Sequence, residues 1–388
     1  MKYINYITLN NSLHILILVT TQLTPQQVAT EFLDSVYLIS HSEKTRITYR
    51  TALNHFRKFS QSYYDTDEAQ VVSKIKSEEL DLYQVIRNFV IYLDKKNIKA
   101  QGLRTYLSGL KGYLRHWGIR INSDDYKQLI KVPKIVRTRE VALTKEMILR
   151  ILRNSSSKLQ TTILISCSSG LRIGEITQLK LSDVDFDSKP VKINVRAEIA
   201  KGGSSRETFI TTETANTLKD YLKKNFGWHE GKQNWDLQEI MIFGRLSLNN
   251  INSKAKNPAQ SAKQGLQAGL RREIAKIPEL SVRNENGRRA IHFHAFRKYF
   301  RTILGNVCGR DYAEALMGHG FYMDTYYQLP EEKKKQMYLD AEPQLTISDF
   351  ETVEKNIKML SAKNTQMEEK FNDLLQYLRT NKIEVPNL

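Results

Sequence analysis

Apolar side chains recur three and four residues apart over much of the first 130 positions, the spacing that gathers them on one face of an α-helix. The region opens at Leu23-Thr24-Pro25, where Thr24 is suited to cap a helix, Pro25 to begin it and Gln27 to close the cap. Four helical patterns follow. Phe32, Leu33 and Val36 share a face of the first. Tyr49, Leu53, Phe56 and Phe59 mark the second, after the polar start Ser42-Glu43. Leu82, Val85, Ile86, Phe89, Val90 and Leu93 mark the third. Tyr106, Leu110, Tyr113, Leu114 and Trp117 mark the fourth, which Gly118 ends. The outward faces carry Lys44, Arg46, Arg50, Arg57, Lys58, Arg104, Lys111 and Arg115, the layout of a helical bundle with a basic exterior.

Residues 131–142 break the pattern with Pro133, β-branched residues and a run of cations, and read as an extended basic linker. A second region runs from Leu143 to about 347. Thr144 caps a helix through Leu152, a second helix spans about 156–168, and a third is expected over 173–180. The alternation in Val191–Arg196 and in Glu207–Thr211, around the turn Lys201-Gly202-Gly203, predicts a β-hairpin. Helices are expected again at 214–225, at about 258–277 and from 295 onward, with a polar loop over 246–257. Beyond 347, Val353, Ile357, Leu360, Asn364, Met367, Phe371, Leu374 and Leu378 alternate spacings of four and three. That is a heptad seam with a polar residue at one core position, read either as a two-stranded coil or as an amphipathic helix packed on its own domain.

Charge narrows the partner. Of 388 residues, 59 are Lys or Arg and 42 Asp or Glu, a net charge of +17. Residues 347–388 hold six Lys/Arg against seven Asp/Glu, so the preceding body is more basic still, 53 against 35. A body of that charge calls for a polyanion, and nucleic acid is the commonest large one. Two cysteines, Cys167 and Cys308, exclude a disulfide scaffold and fit a reducing cytoplasm. The apolar run Leu13–Val19 is about a third of a membrane span, and no signal-peptide pattern surrounds it. A cytoplasmic protein associated with DNA, and not with a membrane, is expected.

Four short motifs and a lysine carry candidate chemistry. The stretch Gly170-Leu171-Arg172-Ile173-Gly174-Glu175, continued by Leu179 and Asp183, comes first, and His294-Ala295-Phe296-Arg297 follows. Leu316-Met317-Gly318-His319 is next, and Tyr326-Tyr327 closes the series. Lys201 falls between the first and second motifs. Together and in this order they closely resemble the boxes of the tyrosine recombinases, the phage-type integrases and Xer-like enzymes: G-L-R-x-x-E-x-x-x-L-x-x-x-D, the catalytic lysine, H-x-x-R, L-x-G-H and the nucleophilic tyrosine. The Tyr-Tyr pair before Pro330 is similar in wording to the archaeal branch. The resemblance covers 143–347 closely and 23–130 in general character.

It implies a mainly α fold with a small β-hairpin or sheet and a C-shaped clamp of two domains; it does not explain the tail, where the heptad spacing by itself predicts a C-terminal helix. The expected divisions are an N-terminal extension (1–22), a helical core-binding domain (23–130), the linker (131–142), the catalytic domain (143–347) and an interaction helix (348–388). Arg172 and Arg297 would grip the non-bridging oxygens of a phosphodiester as charge builds there, with His319 as a further donor. Tyr327 would attack phosphorus; its phenol, with an ordinary pKa of about 10, needs a proton acceptor, for which His294 is the candidate. Lys201 would protonate the departing 5′-oxygen, and Glu175 would orient the basic groups. The family usually places its tyrosine nine residues after the last histidine, whereas Tyr326 and Tyr327 stand seven and eight after His319. Tyr327 is the assigned nucleophile, with Tyr326 as the alternative. No cofactor or metal is required, since arginines supply the electrostatics. The expected protein is a site-specific recombinase, an integrase of a mobile element, acting as a dimer or tetramer on double-stranded attachment sites. The alternatives are a relaxing enzyme like the type IB topoisomerases and an inactive architectural DNA-binding protein of the same fold.

Overall fold

The computed structural model describes residues 25–135, 142–229, 237–244, 257–283, 289–318, 329–348, 361 and 364–372. The chain divides into two compact units, Met1–Arg137 and Thr138–Leu388. Six helices are described in the first: α1 (Pro25–Ser40), α2 (Glu43–Tyr64), α3 (Glu68–Lys76), α4 (Leu82–Lys95), α5 (Ala100–His116) and α6 (Ser123–Leu129). Side-chain oxygens set several of the starts: Ser42 accepts from the Thr45 amide, Asp67 from Gln70 and Asp81 from Gln84. Gly118, at φ +82, follows α5.

Helices α3 and α6 add to the four that the apolar spacing predicts. Each has fewer than ten residues, too few for a period to stand out, and α6 buries none of them. The first residue of α3 also disguises its inward face. Glu68 is 6% exposed in its side chain and is held 2.6 Å from the Arg57 guanidinium of α2. At the centre of the unit Phe56, Phe59 and Phe89 are fully buried. The Phe89 ring lies 5.5 Å from that of Phe56 and 5.3 Å from that of Phe59. Phe89→Ala therefore empties the middle of this cluster, and the unfolding free energy of the unit is expected to fall by about 3–5 kcal/mol. Urea titration followed by circular dichroism measures it; a loss below about 1 kcal/mol would contradict this packing.

The second unit contains α7 (Lys145–Arg153), α8 (Ser157–Ser169), α9 (Ile173–Ile176), β1 (Val184–Asp185), β2 (Val191–Val195), β3 (Arg206–Ile210) and α10 (Thr212–Phe226). After these come α11 (Pro258–Ala275), α12 (Phe293–Cys308), α13 (Arg310–Met317) and α14 (Glu331–Leu345). The strands form one antiparallel sheet in the order β1-β2-β3, with Ile193 opposite both Val184 and Thr208. Helix α8 is the axis of the unit. It is buried along nearly its whole length, and its hydroxyls are absorbed by its own backbone: Thr161 donates to the Ser157 carbonyl, Thr162 to Lys158, Ser168 to Leu164. A helix enclosed on all sides needs no polar face.

One expectation is corrected here. The helix expected over 173–180 stops at Ile176, because Lys180 pairs with Met241 as an isolated β-bridge and the Leu179 carbonyl accepts from the Ile242 amide. The helices expected from 295 onward include α12, α13 and α14, and Gly309 (φ +92) divides the first two. No helix among the described residues is long and apolar enough to cross a membrane. Of the heptad seam, Asn364, Met367 and Phe371 are described; they are helical and exposed. Its other five members, the segment 1–24, the linker residues 136–141 and most of the loop expected at 246–257 lie outside the described residues.

Candidate active site

The site begins where α8 ends. Gly170 turns the chain at φ +66, and a Cβ there would sit 2.4 Å from Cδ1 of Phe300, so glycine is required for space as well as for conformation. Arg172 then becomes the N-cap of α9, and Glu175, three residues on, reaches back to accept from its amide at 2.9 Å. The same carboxylate accepts from Nη1 of Arg172, also at 2.9 Å. The first motif is thus a capping arrangement in which the cap residue is an arginine whose side chain remains 27% exposed. Its Nη1 is held by Glu175, and the side chain keeps part of its surface in solvent.

Glu175 has a second cation. Nη2 of Arg206, at the start of β3, lies 2.7 Å from its Oε2, while Nε of Arg206 donates to the Leu316 carbonyl at 3.0 Å. Burial pushes the Glu175 carboxyl up. The hydrogen bond and charge of Arg206, with the amide and guanidinium of Arg172, outweigh that and hold it below the usual carboxylate range. A nearly buried carboxylate, 2% exposed, is kept ionised by two arginines.

Arg297 sits one turn into α12 and is 1% exposed. Its Nη1 donates to the Gly170 carbonyl and its Nη2 to the Met317 carbonyl at 2.8 Å. Burial and the charges of Arg172 and Arg206 push its pKa down to about 9, against the opposing pull of Glu175 and Glu314. At neutral pH the guanidinium is still a cation. Arg297 and Arg206 therefore each tie the first motif to the last turn of α13, whose free carbonyls attract positive charge. Three arginines surround one ionised carboxylate, so this corner of the unit is electropositive and suited to a phosphodiester.

The remaining predicted residues are placed as follows. His294 lies exposed in the first turn of α12, three residues before Arg297, with its ring 6.1 Å from that of His292. Lys201 is exposed in the ten-residue connection between β2 and β3. That connection is anchored at its start by Arg196, which donates to the Asp183 carboxylate at 2.8 Å and to the Gln178 carbonyl at 2.9 Å. Asp183, the last residue of the first motif, thus supports the hairpin. His319, Tyr326 and Tyr327 lie outside the described residues. Tyr338 is fully buried in α14 and donates to the Ser168 carbonyl at 2.7 Å, and burial drives its phenol far above the ordinary value. Sequence reasoning missed Arg206. Its partners are 31 and 110 positions away, and no spacing rule connects them.

The sequence pattern of the phage integrase family matches residues 120–325. The tyrosine recombinase XerC of Staphylococcus saprophyticus is 25% identical over 320 residues, 78% of this chain and 98% of that protein. XerA of Thermococcus kodakarensis is 27% identical over 148 residues, 37% of this chain and 49% of the relative, so the chain spans about half of that protein. Among solved structures, a lambda integrase(75–356) dimer bound to a COC′ core site overlays with a TM-score of 0.53 at 16% identity, covering 80% of this chain and 100% of that one. That likeness establishes the mainly helical fold with its small sheet. Matched over more than half its length, the chain belongs to the phage integrase family, the tyrosine recombinases, enzymes that cleave and rejoin DNA strands in site-specific recombination.

Proposed function

We propose that this chain integrates or excises a mobile element, binding double-stranded attachment sites and cutting them through a 3′-phosphotyrosyl link to Tyr327. The observation that carries the reading is the corner where Arg172 and Glu175 meet the last turn of α13 through Arg206 and Arg297. In the proposed step Oη of Tyr327 attacks the scissile phosphorus and its proton passes to His294. The P–O5′ bond breaks and Lys201 protonates the departing oxygen. Arg172, Arg297 and His319 stabilise the charge that builds on the non-bridging oxygens. The 5′-hydroxyl of a second strand then reverses the step. One phosphodiester is exchanged for another, so no external energy source is consumed. The lambda integrase neighbours bound to a core site or, as a tetramer, to a Holliday junction support DNA as the partner and self-association on it. The exposed Met367 and Phe371 leave apolar surface for a second copy along the proposed tail helix. A second reading, resolution of chromosome dimers, is favoured by the near full-length match to XerC.

The test begins with a duplex enriched from a random-sequence pool by binding to the full chain. Copies of it nicked at successive positions are incubated with the protein and run on a denaturing gel. A covalent protein–DNA band at one nick position is expected, and its absence at every position would refute the reading. Comparing the enriched sequence with the ends of mobile elements and with chromosome termini separates the two biological roles.

A further inference from the structure

We propose that Arg206 is a positioning residue for strand cleavage, tying Glu175 to the last turn of α13 so that Arg172 and the turn before His319 keep a fixed relation. The inference rests on the recombinase reading of the site and adds a residue to which the sequence motifs assign no role.

Three observations carry it. Arg206 uses two different edges of its guanidinium, Nη2 on the Glu175 carboxylate at 2.7 Å and Nε on the Leu316 carbonyl at 3.0 Å. It is 9% exposed in its side chain, so it supports the site mostly from within and offers little surface to a phosphate. Gly318, which leads into His319 in the sequence, is shaped around it. At φ +63 a Cβ on Gly318 would lie 2.6 Å from Cδ and 2.9 Å from Nε of Arg206. The glycine of the L-x-G-H motif is thus where the Arg206 side chain passes.

The physical consequence concerns Arg172. Glu175 accepts from Arg172 and from Arg206 at once. Without Arg206 the buried carboxylate has one guanidinium left, and Arg172 is pulled toward neutralising it in place of a substrate oxygen. The Leu316 carbonyl loses its donor in the same change, and the turn before His319 loses a tether. Both effects slow the chemical step and leave the exposed cations that hold duplex DNA unchanged. Lysine at this position keeps the charge beside Glu175 but lacks the fork that reaches two acceptors at fixed geometry.

The experiment uses the full chain and the nicked duplex on which the wild type forms its adduct. Single-turnover adduct rates at saturating protein, duplex affinity and thermal melting are measured for wild type, R206A, R206K, E175Q and R206K/E175Q. R206A is expected to cleave ~10–100-fold more slowly, the usual cost of losing a partner that orients a reacting group, with duplex affinity unchanged. R206K should recover part of that loss, and in the E175Q background the R206K change should cost little more, because both act on Arg172 by one route. Cleavage by R206A or R206K at the wild-type rate would overturn the proposal, as would R206K and E175Q losses that simply multiply. If R206A fails to melt cooperatively, the R206K and E175Q comparison decides alone. A wild type that forms no adduct refutes the recombinase reading itself, an outcome visible before any Arg206 variant is compared.

Discussion

Tyr327→Phe is expected to abolish the covalent protein–DNA adduct and to leave duplex affinity within about twofold, because a single hydroxyl is lost and the ring is kept. The effect is all or none for the adduct, since phenylalanine has no oxygen to bond to phosphorus and water cannot form a protein link in its place. Tyr326→Phe is the essential control. The nucleophile stands eight residues after His319 if Tyr327 is used and seven if Tyr326 is, and the two positions differ by one peptide unit. A Tyr327→Phe protein that still forms adduct while Tyr326→Phe does not would move the assignment back by one residue. Tyr338 is no rival to either. It is enclosed in the core of α12, α13 and α14 with its hydroxyl committed to the Ser168 carbonyl, and reaching DNA would require that core to open. A denaturing gel with the nicked duplex reads both variants at once.

The elements that periodicity foretold are those that bury one face and wet the other. Helices α2, α4 and α5 are of this kind, and Ser42 and Asp81 cap the first two. What escaped has physical causes. Helix α3 presents Glu68 inward because Arg57 neutralises it, so a charged letter stands at a core position. The helix after Arg172 is one turn long because residues 179–180 leave it to pair with 241–242, a contact some sixty positions away that no local pattern announces. The site divides in the same way. Arg172 and Glu175 were legible because their relation is local, three residues within one turn. So was the spacing of three that sets His294 and Arg297 on α12. The ties of Arg206 and Arg297 to Gly170, Leu316 and Met317 were not, since they join segments 20 to 127 positions apart through backbone carbonyls, and carbonyls carry no sequence signature.

The two motif arginines are expected to respond differently to alanine, although the motifs treat them alike. Arg172→Ala should lower the adduct rate by about 100-fold or more, some 3 kcal/mol of transition-state stabilisation, with the unfolding free energy changed by ~1 kcal/mol or less. Its side chain is 27% exposed and makes one side-chain ion pair, so the fold has little invested in it, while Glu175 retains Arg206 at 2.7 Å. Arg297→Ala should slow cleavage as much and also destabilise the second unit. Its removal leaves the buried carbonyls of Gly170 and Met317 without their donor and empties a buried position, a loss of about 2–4 kcal/mol. In this structure each of its Nη groups donates to a backbone carbonyl, which ties the guanidinium to the backbone on both sides. Adduct kinetics beside urea unfolding separate the cases. Equal stability losses in the two variants would show that the burial difference between them carries no energetic weight. Near-normal cleavage by Arg172→Ala would remove it from the reacting centre and leave it as the cap of α9.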